Sequence, residues 1–238
     1  MQIIFGVIFH FLGGFASGSF YIPYKQVKGW SWESFWITGG IFSWLIVPPL
    51  AAWITIPGFA EIIKHTAAAT LGYTYLFGLL WGVGGLTYGL GVRYLGVSLG
   101  STIILGLCAV FGSIIPSLYY NLFPQAGKNN FNTLLHTHWG QMVLSGIVIC
   151  VIGIMVCGKA GTMKETQLSR NNEMVEYNRD YKFTLGIIVS IVSGVLSACF
   201  NFGIEAGKPM AETANMIWKS VHPDQGNFLF QNNVIYIV

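Results

Sequence analysis

Apolar runs of about 20 residues dominate the chain, at 3–24, 34–56, 71–92, 98–122, 139–158 and 183–204. A helix rises about 1.5 Å per residue, so each run is long enough to cross the roughly 30 Å hydrocarbon core of a bilayer. In water such runs would need a large charged surface around them. Only 9% of the 238 residues are charged, against about a quarter in a soluble domain. The runs therefore predict membrane-spanning helices, since a helix satisfies its own backbone inside lipid. The segment from Asn227 to Val238 is again apolar at both ends and reads as the beginning of a seventh span in a longer protein. The expected fold class is an all-α polytopic membrane protein, with membrane lipid as its principal partner.

Met1-Gln2-Ile3 carries no basic cluster, so the first run is expected to remain as a span and not to be cleaved as a signal peptide. The Lys and Arg residues set the orientation, because basic loops favour the cytoplasm. Lys25, Lys28, Arg93, Lys159, Lys164, Arg170, Arg179 and Lys182 fall on one side, twice as many as Lys64, Lys128, Lys208 and Lys219 on the other. The first side is assigned to the cytoplasm and the N-terminus to the outside. The net charge of +3 is spread over short loops and gives no nucleic-acid footprint. Cys108, Cys150, Cys157 and Cys199 lie within apolar runs without metal-ligand spacing and read as small packing residues.

Placing residue 186 on residue 6 matches Gly6 with Gly186, Ile8 with Ile188, Gly14 with Gly194, Ser17 with Ser197, Phe20 with Phe200 and Lys28 with Lys208. Five spans separate the matched segments, and an odd number inverts the second copy relative to the first. Inverted repeats of this kind build many secondary transporters. The expected organisation is a first five-helix repeat over 1–158, a cytoplasmic linker over 159–181, and the start of a second repeat over 182–238.

At about 100° per residue, Gly6, His10, Gly14, Ser17, Tyr21, Tyr24 and Lys28 share one face of the first run. Gly186, Ser190, Gly194, Ser197, Asn201 and Lys208 form the matching stripe of the sixth, with Glu205 near it. Two readings stand for the Gly and Ser positions: close helix packing, or the wall of a polar pathway. For His10, Tyr21, Asn201 and Glu205 the pathway is favoured, because large polar and ionisable groups are costly against lipid. In the third run Trp81, Gly84, Tyr88 and Gly91 share a face. Rings beside glycines make a groove that suits the C–H faces and hydroxyls of a sugar, and they also suit ordinary packing. Pro116 is expected to kink the fourth run. Trp30, Trp32 and Trp36 read as an interfacial belt, with Lys25 and Lys28 reaching the headgroups; for Glu33, pairing with Lys28 is favoured over a part in proton coupling.

No phosphate-binding Gly-Lys-Ser/Thr loop, G-x-S-x-G or H-E-x-x-H occurs, so the chain is not read as an enzyme or an ATP-driven pump and calls for no cofactor. His136 and His138 lack a third ligand nearby in the sequence and read as a loop pair. Any energy source is expected to be an ion gradient.

The blocks Tyr21-x-Pro23-x-Lys25-x-Val27-Lys28-x-Trp30-Ser31-Trp32-Glu33, Trp81-Gly82-x-Gly84, Tyr88-Gly89-Leu90, Arg93-Tyr94-Leu95-Gly96-x-Ser98-x-Gly100, Ser197-Ala198 and Lys208-Pro209-Met210 resemble the L-rhamnose–proton symporter family of the drug/metabolite transporter superfamily. The resemblance runs through nearly the whole chain. It implies a ten-helix, multi-pass symporter of the bacterial inner membrane, longer than this chain, that takes up the 6-deoxyhexose L-rhamnose with a proton. A neutral sugar carries no proton of its own, so His10 and Glu205 become the coupling candidates. Trp81 and Tyr88 are the choices for ring stacking, and Tyr21, Ser197 and Asn201 complete the expected sugar site. An exporter of another small solute and a non-transporting membrane scaffold are the alternatives. The first would favour a carboxylate-rich or apolar cavity; the second has no use for polar stripes in two helices.

Overall fold

The computed structural model describes residues 2–19, 22–124, 128–170 and 181–238, and every regular element among them is helical. The chain forms two units, Met1–Ala51 and Ala52–Val238.

In the first unit, α1 (Gln2–Ser19) occupies the first apolar run and α2 (Ile22–Gln26) is a single turn after it. α3 (Trp32–Gly40) begins at Ser31, whose hydroxyl accepts a hydrogen bond from the Ser34 N–H at 3.3 Å. Serine suits this place because its oxygen satisfies a donor that the first helical turn leaves open. Glu33 lies in that turn, where the helix dipole favours a carboxylate. The Trp-Ser-Trp-Glu block is thus a helix start, and Trp30 packs against Phe35 with ring centres 5.6 Å apart. Residues Ile41–Ile46 then widen into a π-helix before α4 (Val47–Thr55). Pro48 and Pro49 have no N–H to offer the carbonyls of Trp44 and Leu45, and the Val47 N–H bonds Phe42 O five residues back.

In the second unit, a turn with Gly58 at φ +73° leads into α5 (Phe59–His65). α6 (Ala68–Leu95) and α7 (Val97–Leu122) are joined by one residue, Gly96, at φ +84°. A side chain with a Cβ is strained in that conformation, so glycine is what lets two long helices reverse direction without a loop. α8 (Phe131–His136) is capped by Asn130, which accepts from the Thr133 N–H at 2.8 Å, and α9 (His138–Arg170) follows. α10 (Phe183–Ser197) and α11 (Cys199–Val221) are divided only at Ala198.

Among the described residues five helices are long and apolar enough to cross a membrane: Glu33–Thr55, Ala68–Leu95, Leu99–Leu122, His138–Lys164 and Phe183–Val221, with Ile4–Ser17 a shorter apolar helix. Large apolar side chains stand outward on them, Trp53 at 70%, Leu122 at 74% and Ile149 at 69% exposure. Water would penalise such faces heavily; lipid does not. The chain is an all-α polytopic membrane protein, as the runs predict.

Two segments extend the sequence expectations. Gln231–Ile237, where the opening of a seventh span is expected, forms a short 3-10 helix. Its Val234 and Ile235 are buried with Ile56, Ile62, Met210, Ala211, Ala214 and Phe228 in a small apolar core. Side-chain amides hold this cap in place: Asn215 Oδ1 accepts from the Phe228 N–H at 2.8 Å, and Asn233 Nδ2 donates to Thr55 Oγ1 at 2.9 Å. Beyond 158, where the linker was expected to begin, α9 continues as helix to Arg170; residues 171–180 of that segment lie outside the described ones.

Candidate functional site

The stripe Gly186, Ser190, Gly194 and Ser197 decides where a site can and cannot lie. A Cβ at Gly84 would stand 2.9 Å from the Ser197 backbone nitrogen, and one at Gly91 would stand 2.7 Å from Ser190 Oγ. A Cβ at Gly194 would meet Leu107 Cβ at 2.6 Å, and one at Gly186 would meet Leu95 at 2.6 Å. Ser193 donates to the Gly84 carbonyl at 2.9 Å across the contact, and Ser190 and Ser193 are wholly buried. This half of the stripe is a dry seam that brings α10 against α6 and α7, as small residues do between membrane helices. Of the two readings left open for its Gly and Ser positions, close packing describes Gly186, Ser190 and Gly194.

Past Ala198 the character changes. Asn201 is exposed on α11, and its amide nitrogen lies 3.2 Å from where a Gly112 Cβ would sit on α7. Pro116 cannot donate to the Gly112 carbonyl, so Asn201 stands beside a turn whose ladder is interrupted. Glu205, one turn further along, pairs with Lys128 from the segment between α7 and α8. At about 1.5 Å per residue Glu205 lies about 33 Å along the axis from Phe183. Lys128 also approaches the Tyr120 ring, at 5.8 Å from its centre. Its ammonium titrates below the ordinary lysine value because partial burial strips its water and Lys208 repels it, while Glu212 pulls the other way.

On α6, Trp81 packs against Phe200 with ring centres 5.2 Å apart, and Phe200 stacks on Tyr236 at 6.1 Å and 7°. Tyr88 lies two turns further along α6 and donates its hydroxyl to Ser101 on α7 at 2.9 Å. Trp81, Ser197, Asn201 and Glu205 therefore belong to one unit and to helices in contact, with Tyr88 further along the same seam. His10 is in the first unit, exposed, about 12 Å along α1 from Gln2. Tyr21 lies outside the described residues.

The sequence reading missed Lys128, Ser101 and Ser193. Lys128 counted only as a loop charge, and nothing in its polar segment reveals a partner on a helix more than seventy positions away. Ser193 is one residue off the stripe through Ser190 and Gly194, a displacement of about 100° that strict periodicity discards. A cavity of about 450 Å³ was also unforeseen; it lies between α5, the start of α6 and α11, with Glu61, His65, Thr70, Pro209, Thr213 and Ile217 among its walls.

A family profile described as L-rhamnose-proton symport protein matches residues 1–222. The L-rhamnose-proton symporter of Enterobacter sp. (strain 638) is 35% identical over 212 residues, 89% of this chain and 58% of that protein. That of Yersinia pestis bv. Antiqua (strain Antiqua) is 35% identical over 215 residues, 90% of this chain and 59% of that protein. The chain thus spans somewhat less than three-fifths of the length of these curated relatives. No solved structure matches it. The match across nearly all of the chain, on a polytopic helical fold carrying the motif blocks above, establishes that the chain belongs to the L-rhamnose-proton symport protein family.

Proposed function

We propose that this chain works in proton-coupled uptake of L-rhamnose, or a closely related 6-deoxyhexose, across the bacterial inner membrane. The observation that carries the reading is the family match over residues 1–222, together with relatives named as L-rhamnose-proton symporters. In this reading the architecture is an inverted repeat, with 1–158 as the first five helices, 159–181 as a cytoplasmic linker and 182–238 as part of the second copy. The side that carries Lys64, Lys128, Lys208 and Lys219 faces outward.

The sugar binds between α6 and the helix formed by α10 and α11. Trp81 packs its ring at a tilt of 47° against Phe200, which supports a rigid stacking wall. Asn201, Ser197 and Tyr21 supply hydrogen bonds to hydroxyls. Tyr88 presents its ring, its hydroxyl being held by Ser101. His10 and Glu205 carry the proton: a neutral sugar gains uphill transport only if a protein group binds a proton on one side and loses it on the other. Protonation and sugar binding from outside then favour the rocking of one repeat against the other that releases both inside.

The test is the external pH of a lightly buffered, de-energised cell suspension expressing the complete gene. L-rhamnose is expected to alkalinise the medium, and L-fucose is the control. No alkalinisation from cells with the protein in their membrane, or an equal response to both sugars, refutes the assignment of substrate and ion.

A further inference from the structure

Two helices carry a proline that cuts their backbone ladders. In α7, Pro116 withholds a hydrogen bond from the Gly112 carbonyl; in α11, Pro209 withholds one from the carbonyl of Glu205 itself. Missing bonds of this kind are the usual cause of a local bend, so each helix carries one point of reduced stiffness. A side-chain contact closes the gap between them. Lys128, on the segment after α7, pairs with Glu205 on α11, whereas the Glu61 pairs with Lys64 and His65 stay inside α5.

The surroundings of the pair fit a bond that must be made and broken. Its side chains are 26% and 45% exposed for Lys128 and Glu205, so water competes for both charges. Lys208 and Glu212 on α11 act on Lys128 with opposite signs, and Tyr120 of α7 offers the ammonium a ring face. No deeply buried charge is stranded when the contact opens. Immediately inward lie Asn201 beside Gly112 and, half a turn further, the buried thiol of Cys199.

We propose that the Lys128–Glu205 pair is a latch on the outward mouth of the transporter, holding Lys128 against α11, and that the mouth opens by its rupture with Pro116 and Pro209 as the flexing points. The inference rests on the transport reading for what the mouth admits, but its test does not use a sugar. A partly solvated ion pair biases such an equilibrium by about two- to fivefold.

The experiment labels right-side-out membrane vesicles, made from cells expressing the complete gene, with a membrane-impermeant maleimide. Peptide mass spectrometry separates the Cys199 adduct from those of Cys108, Cys150 and Cys157. Lys128→Gln is expected to speed Cys199 labelling about two- to fivefold, and Lys128→Arg, which keeps the charge, to leave it near the unmodified rate. Glu205→Gln should match Lys128→Gln, and the double variant should gain nothing over either, because one contact cannot be broken twice. Unchanged labelling in Lys128→Gln, effects that add in the double variant, a gain confined to inside-out vesicles, or no labelling of Cys199 in any variant would each overturn the latch. Those results leave the rhamnose assignment untouched. A failure of rhamnose to alkalinise the medium would sink that assignment and leave the latch standing.

Discussion

Replacing Gly84 by alanine puts the α6–α10 seam under a measurable load, and Gly82, two residues away on the same helix, provides the control. A Cβ at Gly84 would stand 2.9 Å from Ser197 N, 3.0 Å from Leu196 C and 3.1 Å from Leu196 Cβ, and two of these three are backbone atoms that no rotamer change can move aside. The helices must separate, which by the usual cost of overpacking loses about 1–3 kcal/mol. Separation also stretches the Ser193–Gly84 hydrogen bond, now 2.9 Å, whose loss inside a membrane costs about 0.6 kcal/mol. Against this, alanine gains about 0.5–1 kcal/mol over glycine in a helix. Gly84→Ala should therefore lose about 1–3 kcal/mol net. Gly82→Ala, where a Cβ meets nothing within 4 Å, should keep the whole helical gain and be neutral or slightly more stable. The two variants then differ by about 2–4 kcal/mol, a large share of a typical folding free energy. SDS-driven unfolding in mixed micelles reads the difference directly. Equal midpoints for the two variants, or a Gly84→Ala protein as stable as its parent, would refute the close approach of α6 and α10 at this point.

Two further predictions concern transport. His10→Gln should abolish accumulation of rhamnose against its gradient while downhill exchange continues; accumulation that survives removes His10 from the coupling role. Trp81→Leu should raise KM for rhamnose about two- to tenfold, the worth of one ring contact. Phe200→Leu is its comparison, since it removes the ring behind Trp81 and not the proposed sugar face. A folded Trp81→Leu protein with unchanged KM leaves Trp81 as packing alone.

The helices were legible because the signal for a span is additive: twenty apolar residues in a row leave the backbone little choice in lipid. Their ends were not, because ends depend on individual contacts. The sequence expectation stopped the sixth run at 204, but α11 continues to Val221 because its apolar side, Met210, Ala211 and Ala214, packs under Phe228, Val234 and Ile235. That same packing turns the terminal apolar segment into a short cap, and hydropathy cannot distinguish an apolar segment that covers a helix from one that enters a bilayer. The π-helical stretch over Ile41–Ile46 was readable in principle from Pro48-Pro49, since two missing donors in succession must disturb the ladder behind them. For the candidate site, the residue types were visible and their partners were not. Ser101 for Tyr88 and Lys128 for Glu205 are contacts between helices or segments whose separation in sequence carries no periodic trace.

The stripe from Gly186 to Lys208 shows why one periodicity can hold two roles. Helical period specifies only that residues share a face; the neighbour opposite decides what that face does. Before Ala198 the neighbours are Gly84 and Gly91, where a Cβ would stand 2.9 Å from Ser197 N and 2.7 Å from Ser190 Oγ, and no solvent-sized gap can persist between helices that close. Beyond Ala198, Asn201 stands beside Gly112 of α7, whose ladder Pro116 interrupts, and Glu205 pairs with Lys128, so the polar side chains there have partners. The division falls at Ala198, where α10 ends and α11 begins. Under the proposed transport reading, a sugar or a proton entering along this helix meets Glu205 and Asn201 first and stops at the level of Ser197 unless the seam opens. In that reading movement of α10 against Gly84 and Gly91 is the step that passage inward requires, and the buried Ser193–Gly84 hydrogen bond is what that movement has to break.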